Sequence, residues 1–358
     1  MMTGLAGKGL QVLFIENTGV RSPRLSDLSR VMHRIKCSTG QIIQDIPPGV
    51  KIFSPLAVPL PYNSIAIRYN QSYISKHIKK FLHANNLQPS EVIFWSCLST
   101  PVALSLMKRC AWGATVYDVV SDPKYIEPRL GPSEQIMLKL TDYTFFASAT
   151  LLDQYHSATK NPLLFEDGFN LELRNSTALI TEIEQLPQPR LLYIGGINKK
   201  LQVEAITKLA QHFKGGSIIL VGPLSDGVEI PTSKNIHIYP PCNSYNDLAG
   251  FLRAADIGLI PYVQDRYAGA MHPAKINEYL VFGLPIVATS TPELERLANL
   301  WGDGFFYLYN DPLEVLKATE KALICDNEAS RIKRKSWALS NDWDGRISRL
   351  MEILEQKI

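Results

Sequence analysis

The stretch IGLIPYVQDRYAGAMHPAKINEYLVFGLPIVATSTPEL, Ile257–Leu294, decides how the chain is read. Two short apolar runs, Ile257–Tyr262 and Pro285–Thr289, have the length and residue types of buried parallel strands. Between them lie a polar loop, Val263–His272, and a helix predicted over Pro273–Phe282. Pro273 suits the first helical position, where its missing N–H costs nothing, and Gly283 suits the left-handed residue that closes a helix. The succession of strand, loop, helix, glycine and strand places the loop beyond the carboxyl end of a sheet, where open α/β folds bind ligands. Lys275 and Glu278 are three residues apart and share a helix face. A lysine in the first turn opposes the helix dipole unless a dianion sits there. Glu278, one turn deeper, can accept hydrogen bonds from sugar hydroxyls. The pattern suits a nucleotide diphosphate with its ribose. It equally suits an ordinary capped helix whose Lys275 and Glu278 pair with each other.

The surrounding chain has 358 residues, more than one core normally serves, so two domains are expected. Its formal net charge of +3 is too small to imply nucleic acid, though it leaves room for a local basic patch. The cysteines, Cys37, Cys97, Cys110, Cys242 and Cys325, are scattered without metal or redox spacing, which points to a reducing cytoplasm. No apolar signal core opens the chain, and no run has the ~18–20 apolar residues of a membrane span.

Outward from the opening stretch, strand-like runs at Leu191–Ile194, Ile218–Val221, Ile236–Tyr239 and Phe305–Tyr309 alternate with helical patterns. Gly195–Gly196, followed by Asn198 and Lys199, close the first of these strands, and Gly222 closes the second. Both loops should open on the edge that carries Lys275. Ahead of this half, Asn175–Pro189 loses periodicity and ends in LPQP, the expected domain boundary.

The amino half alternates in the same way. Gln11–Ile15 reads as a strand feeding the loop ENTGVRSPR, Glu16–Arg24, and then a helix near Leu25–Ile35. Asn17, Thr18, Gly19 and Arg21 are candidates for binding a hydroxylated acceptor, against the alternative of a plain βα turn. Further strands are predicted at Val92–Trp95, Thr115–Val119, Tyr143–Phe146 and Leu163–Phe165, with helices near Pro101–Cys110, Ser133–Leu140 and Ala149–Thr159. Asp118 and Asp122, in YDVVSDP at a strand's carboxyl end, are candidates for acid–base work or for capping the next turn. Ile65–Leu82 reads as an amphipathic helix with Arg68, Lys76, His77, Lys79 and Lys80, either a solvated face or a contact with an anionic membrane.

The second half resembles family 4-like GT-B glycosyltransferases of bacterial exopolysaccharide and cell-wall glycan synthesis. HPAKINEYLVFGLPIVATSTPEL is similar to their P-x-K-x-x-E-Y-x-x-x-G-x-P-V-V-A-T signature. SYNDLAGFLRAADIGLIPY is similar to the helix and strand that lead into their donor site. EDGFN, Glu166–Asn170, resembles the turn that ends their first domain, and NDWDGRISRL resembles their last helix, which crosses back to that domain. The resemblance implies an α/β GT-B fold: two Rossmann-like domains, residues 1–175 and 190–340, a cleft between them, and a crossover helix near 340–358. It implies transfer of a sugar from a nucleotide diphosphate sugar to a hydroxyl of a glycan or lipid-linked glycan. Glu278 would hold the ribose, Lys275 the diphosphate with Asn198 or Lys199, and Tyr239–Ser244 the base. Gly269–His272 would offer backbone N–H groups and the His272 ring near the transferred sugar, with Met271 beside them. Asp122 or Asp118 would serve as general base. Ala270 stands where the family often has a first glutamate, so retention or inversion stays open. No cofactor and no metal are expected, on the reading that the chain carries neither an Asp-x-Asp motif nor His/Cys ligand spacing. A cytoplasmic protein at the inner face of the membrane is expected. Rival readings are a nucleotide-sugar 2-epimerase, which needs no acceptor, and a non-catalytic nucleotide-sugar-binding subunit.

Overall fold

The computed structural model describes residues 1–17, 19–20 and 48–355, so the helix expected near Leu25–Ile35 lies outside the described residues. The chain divides into two compact units, Met1–Phe165 with Ile347–Ile358, and Glu166–Arg346.

In the first unit β1 (Val12–Ile15) pairs in parallel with β2 (Val50–Phe53). A second parallel sheet runs β3 (Ile93–Ser96), β4 (Ala114–Val119), β5 (Tyr143–Phe146) and β6 (Pro162–Leu164), in that order. Val116, Tyr117 and Val119 of β4 are almost fully buried, as a strand covered on both faces requires. The helix Ser64–Ala84 begins where the Asn63 side chain accepts the Ile65 and Ala66 N–H groups, and it buries Ile74, Phe81 and Leu82. The helix expected over Pro101–Cys110 stops at Met107, whose carbonyl is taken by the Trp112 indole N–H at 3.0 Å. The last helix, Trp343–Glu355, buries Ile347, Leu350 and Leu354, and its Ile353 carbonyl accepts the Tyr143 hydroxyl at 3.4 Å. No helix among the described residues is long and apolar enough to cross a membrane.

The second unit carries six parallel strands: β7 (Arg190–Ile194), β8 (Ser217–Val221), β9 (Ile236–Tyr239), β10 (Ile257–Ile260), β11 (Ile286–Thr289) and β12 (Phe306–Tyr309). Their order is β12-β11-β10-β7-β8-β9. The chain builds outward from β7 to one side and then from β10 to the other, so the switch point lies between β7 and β10. Such a point leaves a crevice beyond the carboxyl ends of the two strands. Here they pair only through Leu191–Ile257 and Leu192–Gly258. The gap beyond is filled by Tyr279, which is fully buried. Its oxygen accepts the Ile194 N–H at 3.2 Å, and its O–H faces the Leu192 and Leu259 carbonyls, each 3.1 Å away. Gly258 makes this possible, because a Cβ there would overlap the Tyr279 ring.

Tyr279 thereby pins the helix Lys275–Val281 to the switch point. The helix starts two residues later than expected. The Ile276 N–H goes to the Pro273 carbonyl at 3.0 Å, an i→i+3 turn ahead of the regular helix. Gly283, at φ +79°, closes it. Arg334, also buried, donates to the Gly283 and Gly304 carbonyls at 2.7 and 2.6 Å and pairs with Asp326. A cation at the helix C-terminus complements its dipole.

Candidate functional site

The loops that follow β7, β8 and β10 meet at the switch point. Gly195 leaves β7 at φ +126° and Gly222 leaves β8 at φ +149°, backbone regions that side chains avoid. A Cβ on Gly222 would overlap the Gly195 carbonyl. Gly222→Ala is therefore expected to destabilise the protein by ~3 kcal/mol, from the φ and the overlap together, read as a lower urea midpoint at unchanged slope. The Gly195 loop is tied to the β10 loop by Gln202 N–H to Pro261 O and Val263 N–H to Lys200 O, each 2.8 Å, and by a Lys200–Asp265 ion pair.

Lys275 lies beneath this junction. Its residue is 8% exposed, and its ammonium sits 4.0 Å from the Tyr193 ring centroid and 5.1 Å from that of Tyr262. A Cβ on Gly195 would stand 2.9 Å from Lys275 Nζ, so the bare glycine leaves the ammonium open toward the loop. The Tyr193 hydroxyl donates to the Gly196 carbonyl at 2.8 Å and fixes the ring under the cation. Burial pushes the Lys275 ammonium down to about 7, opposed by the charge of Glu278. Glu278 is half buried. Burial raises its carboxyl, Lys275 opposes the rise, and Asp167 adds to it. No carboxylate lies within 4.0 Å of the ammonium among the described residues, so the simple paired-helix alternative is not what the side chains adopt. The helix has seven residues, so its dipole is the smaller contributor and the ammonium the larger.

The other expected residues fall at varied distances from this centre. Asn198 turns back to accept the Lys200 N–H at 2.8 Å, with its amide nitrogen beside Gly196. Lys199 is exposed and extends beside Gly227. Tyr239 packs edge-on against Phe251 at 5.1 Å, and its carbonyl accepts the Gly222 N–H. The Gly269 and Met271 N–H groups are used inside their own loop, on Asp265 O and Ala268 O, rather than presented outward. The expectation that the chain has no Asp-x-Asp motif is corrected by Asp342–Trp343–Asp344, which is one. Asp342 accepts the Gly345 N–H at 2.8 Å, as a helix cap does.

His272 joins a cluster that the sequence reading missed. Its Nδ1 lies 3.7 Å from Glu166 and 3.8 Å from Glu293, and neither ring nitrogen has a hydrogen-bond partner among the described residues. Arg296 Nη2 reaches both carboxylates, at 3.2 Å and 2.6 Å. Glu166, His272 and Glu293 could hold a metal ion by spacing, but the guanidinium already supplies positive charge there. The signal available in the sequence was Glu293 and Arg296, three apart on one helix behind a strand end. Asn277 was also missed: it donates to the Asp167 carbonyl at 2.7 Å and ties the Glu166 segment to the helix.

In the first unit, Asp118 and Asp122 are both buried. Asp118 accepts the Trp95 indole N–H at 3.2 Å and faces the Cys97 thiol at 3.8 Å; burial and then Asp118 push that thiol up to about 12. Asp122 accepts the Lys124 N–H at 3.0 Å, the predicted capping role, and the Gln154 amide at 3.2 Å. Asn17 accepts the Gly19 N–H at 2.9 Å, the geometry of a plain turn. Thr18 and Arg21 lie outside the described residues.

Comparison with known proteins places this geometry. No protein-family model matches the chain. TuaH of Bacillus subtilis (strain 168), assigned as a teichuronic acid biosynthesis glycosyltransferase, is 25% identical over 166 residues. That match covers 45% of this chain and 41% of TuaH, so it spans less than half the length of that relative. Sucrose-phosphate synthase from Thermosynechococcus elongatus superposes with a TM-score of 0.72 at 14% identity, over 99% of this chain and 91% of the other. HepE of Anabaena, solved in complex with UDP, gives 0.65 at 14% identity over 97% and 100%. WaaG, a glycosyltransferase involved in lipopolysaccharide biosynthesis, gives 0.62 at 13% identity over 96% and 99%. The chain has the GT-B fold of these glycosyltransferases.

Proposed function

We propose that this protein is a GT-B glycosyltransferase that moves a sugar from a nucleotide diphosphate sugar to a hydroxyl of a glycan or lipid-linked glycan. The observation that carries the reading is Lys275. A buried ammonium without a carboxylate partner, open beside Gly195 at a sheet switch point, suits a diphosphate. Positive charge there stabilises the departing diphosphate as the glycosidic bond breaks. Glu278 is assigned to the ribose hydroxyls, and the Tyr239 strand end to the base. Asn198 and Lys199 are assigned to the phosphates as the Gly195 loop adjusts, and His272 and Met271 to the sugar side. Asp122, or Asp118, is the candidate general base. Asn17, Thr18, Gly19 and Arg21 are assigned to the acceptor. Lys275 supplies the charge a metal would, so transfer is expected to survive EDTA.

HepE has been captured with UDP and with UDP-glucose, which makes UDP-glucose the first probe. Titration calorimetry should detect saturable binding to the intact chain. Glu278→Gln should weaken it ~10- to 100-fold, the worth of charge-assisted hydrogen bonds at about 1.5–3 kcal/mol. Unaltered affinity in that variant would remove the ribose assignment.

The membrane assignment rests on the Ser64–Ala84 helix. Arg68, Lys76, Lys79 and Lys80 are all exposed there, beside Ile65 and Tyr69 at 76% and 57% exposure. Each basic residue near an anionic surface contributes ~1 kcal/mol, so Lys79→Ala with Lys80→Ala should cut binding to phosphatidylglycerol vesicles about 30-fold at low salt. Absence of vesicle binding by the unsubstituted protein at low salt would end this assignment.

A further inference from the structure

The loops after β7 and β10 are stitched into a short antiparallel ribbon. Leu201 and Tyr262 form a bridge, flanked by the hydrogen bonds from Gln202 N–H to Pro261 O and from Val263 N–H to Lys200 O. The ribbon adjoins the Lys275 ammonium, because Tyr262 is one of the two rings against it. One side chain of the ribbon reaches on to the next segment of the chain. The Lys200 ammonium pairs with Asp265 Oδ2 and lies 5.0 Å from the Tyr267 ring centroid. Both residues belong to the start of the helix Arg266–Gly269, Asp265 as its cap. Asp265 divides its oxygens: Oδ1 accepts the Ala268 N–H at 2.7 Å, the carbonyl accepts the Gly269 N–H at 2.9 Å, and Oδ2 takes Lys200.

A helix of four residues does not hold itself, so its placement comes from what grips its ends. Just ahead of it, Gln264 donates its amide to the Ser290 carbonyl at 3.0 Å. At its cap stands Lys200. Directly behind it run Ala270, Met271 and His272. The other end of the grip is also fixed, since Asn198 Oδ1 accepts the Lys200 N–H at 2.8 Å in the Gly195 loop. We propose that Lys200 is a positioning residue for the transferred sugar: through Asp265 and Tyr267 it sets the Met271 and His272 segment against the diphosphate loop, so that the site prefers a nucleotide sugar to the free nucleotide diphosphate. The inference rests on the donor reading, in which Lys275 and the Gly195 loop meet the diphosphate and Met271 and His272 the sugar. The ammonium of Lys200 is committed to Asp265, so it acts on the sugar only through that segment. The two side chains are 49% and 35% exposed, so the pair is modest in strength, is screened by salt and can be removed without unfolding the protein.

Two measurements on the whole protein test this. In hydrogen exchange without ligand, the Ala268 and Gly269 amides, both bonded to Asp265, should exchange about threefold to fivefold faster in Lys200→Met. In titration calorimetry, Lys200→Met should weaken UDP-glucose about fivefold while changing UDP less than about twofold, because only the sugar reaches the segment that Lys200 holds. Lys200→Arg keeps the charge and can stack on the Tyr267 ring, so it should restore both readings. Salt near 1 M should bring the preference of the unsubstituted protein for UDP-glucose over UDP down to that of Lys200→Met. A lysine that merely stabilised the fold would lower both affinities together. The proposal is overturned if the two amides exchange at the same rate in Lys200→Met, or if UDP and UDP-glucose lose affinity equally. Failure of the unsubstituted protein to bind either ligand would instead overturn the donor reading and the sugar role with it, while the exchange rates would still decide whether Lys200 holds the segment.

Discussion

Lys275→Met is expected to weaken UDP-glucose binding about 100-fold near pH 6 while raising the melting temperature, because one buried charge is responsible for both. Methionine keeps the length of the stem and removes the ammonium. The binding loss follows from charge-assisted contacts worth up to about 3 kcal/mol. The stability gain follows from burial. An ammonium brought down to about 7 from 10.5 carries a cost of ~5 kcal/mol at about 1.4 kcal/mol per tenfold. The faces of Tyr193 and Tyr262 return ~2 kcal/mol of it. A net gain of ~3 kcal/mol is expected in the variant.

The pH dependence has a definite sign. Between about 7 and 10.5 the unfolded chain holds a proton on Lys275 that the folded chain does not. Stability of the unsubstituted protein therefore rises with pH through that window. The cost is fully present below about 7, so the advantage of Lys275→Met is greatest in acid and fades toward pH 10.5. Binding runs the other way. A diphosphate selects the protonated ammonium, so affinity should fall roughly tenfold per pH unit above about 7. UDP-glucose itself titrates nowhere near neutrality, which isolates the lysine. A flat affinity profile from about pH 6 to 9 in the unsubstituted protein would show that the ammonium does not meet the diphosphate.

The halves of this centre differ in how far the sequence exposes them. Lys275 and Glu278 were legible because their relation is local: three residues apart on one helix, with a proline ahead and Gly283 behind. The six strands of the second unit were legible for the same reason, as short apolar runs between turn signals. Tyr193 and Tyr262 were not, since each reads as one more apolar residue at the end of a strand. Their role under the ammonium exists only once β7 and β10 lie side by side. Gly258 is similar. In sequence it is a weak point in a strand, and only Tyr279, 21 residues on, explains it. The contacts of Glu166 with Arg296 join positions 130 residues apart, which no window of periodicity spans. Lys199 stands apart: adjacency to Gly195–Gly196 suggested convergence, and in this structure its side chain runs beside Gly227. The fold could thus be read from local pattern, while the electrostatics of the site depended on pairs that the sheet order brings together.

Arg296→Met is expected to destabilise the protein by ~3 kcal/mol, because it removes the guanidinium that neutralises a fully buried carboxylate. Glu293 has no exposed side-chain surface and receives Arg296 as a fork, Nη2 to Oε1 at 2.6 Å and Nε to Oε2 at 3.3 Å. The same Nη2 lies 3.2 Å from Glu166, and His272 stands within 3.8 Å of both acids. Without the guanidinium, two carboxylates face each other across an imidazole. For a unit of this size, ~3 kcal/mol corresponds to a fall in melting temperature of roughly 6–12 °C. The deficit should shrink in acid. A buried carboxyl that has lost its counter-charge has its folded proton affinity raised, so the stability it costs is lost as pH rises above about 4 and is recovered on protonation. Adding Glu293→Gln to Arg296→Met should restore ~2 kcal/mol, since the amide needs no counter-charge. If the double substitution is no more stable than Arg296→Met alone, the loss reflects packing of the arginine stem and not the paired charges. If it recovers, the cluster is an electrostatic brace that holds His272 between Glu166 and Glu293, at the start of the segment that leads into Lys275.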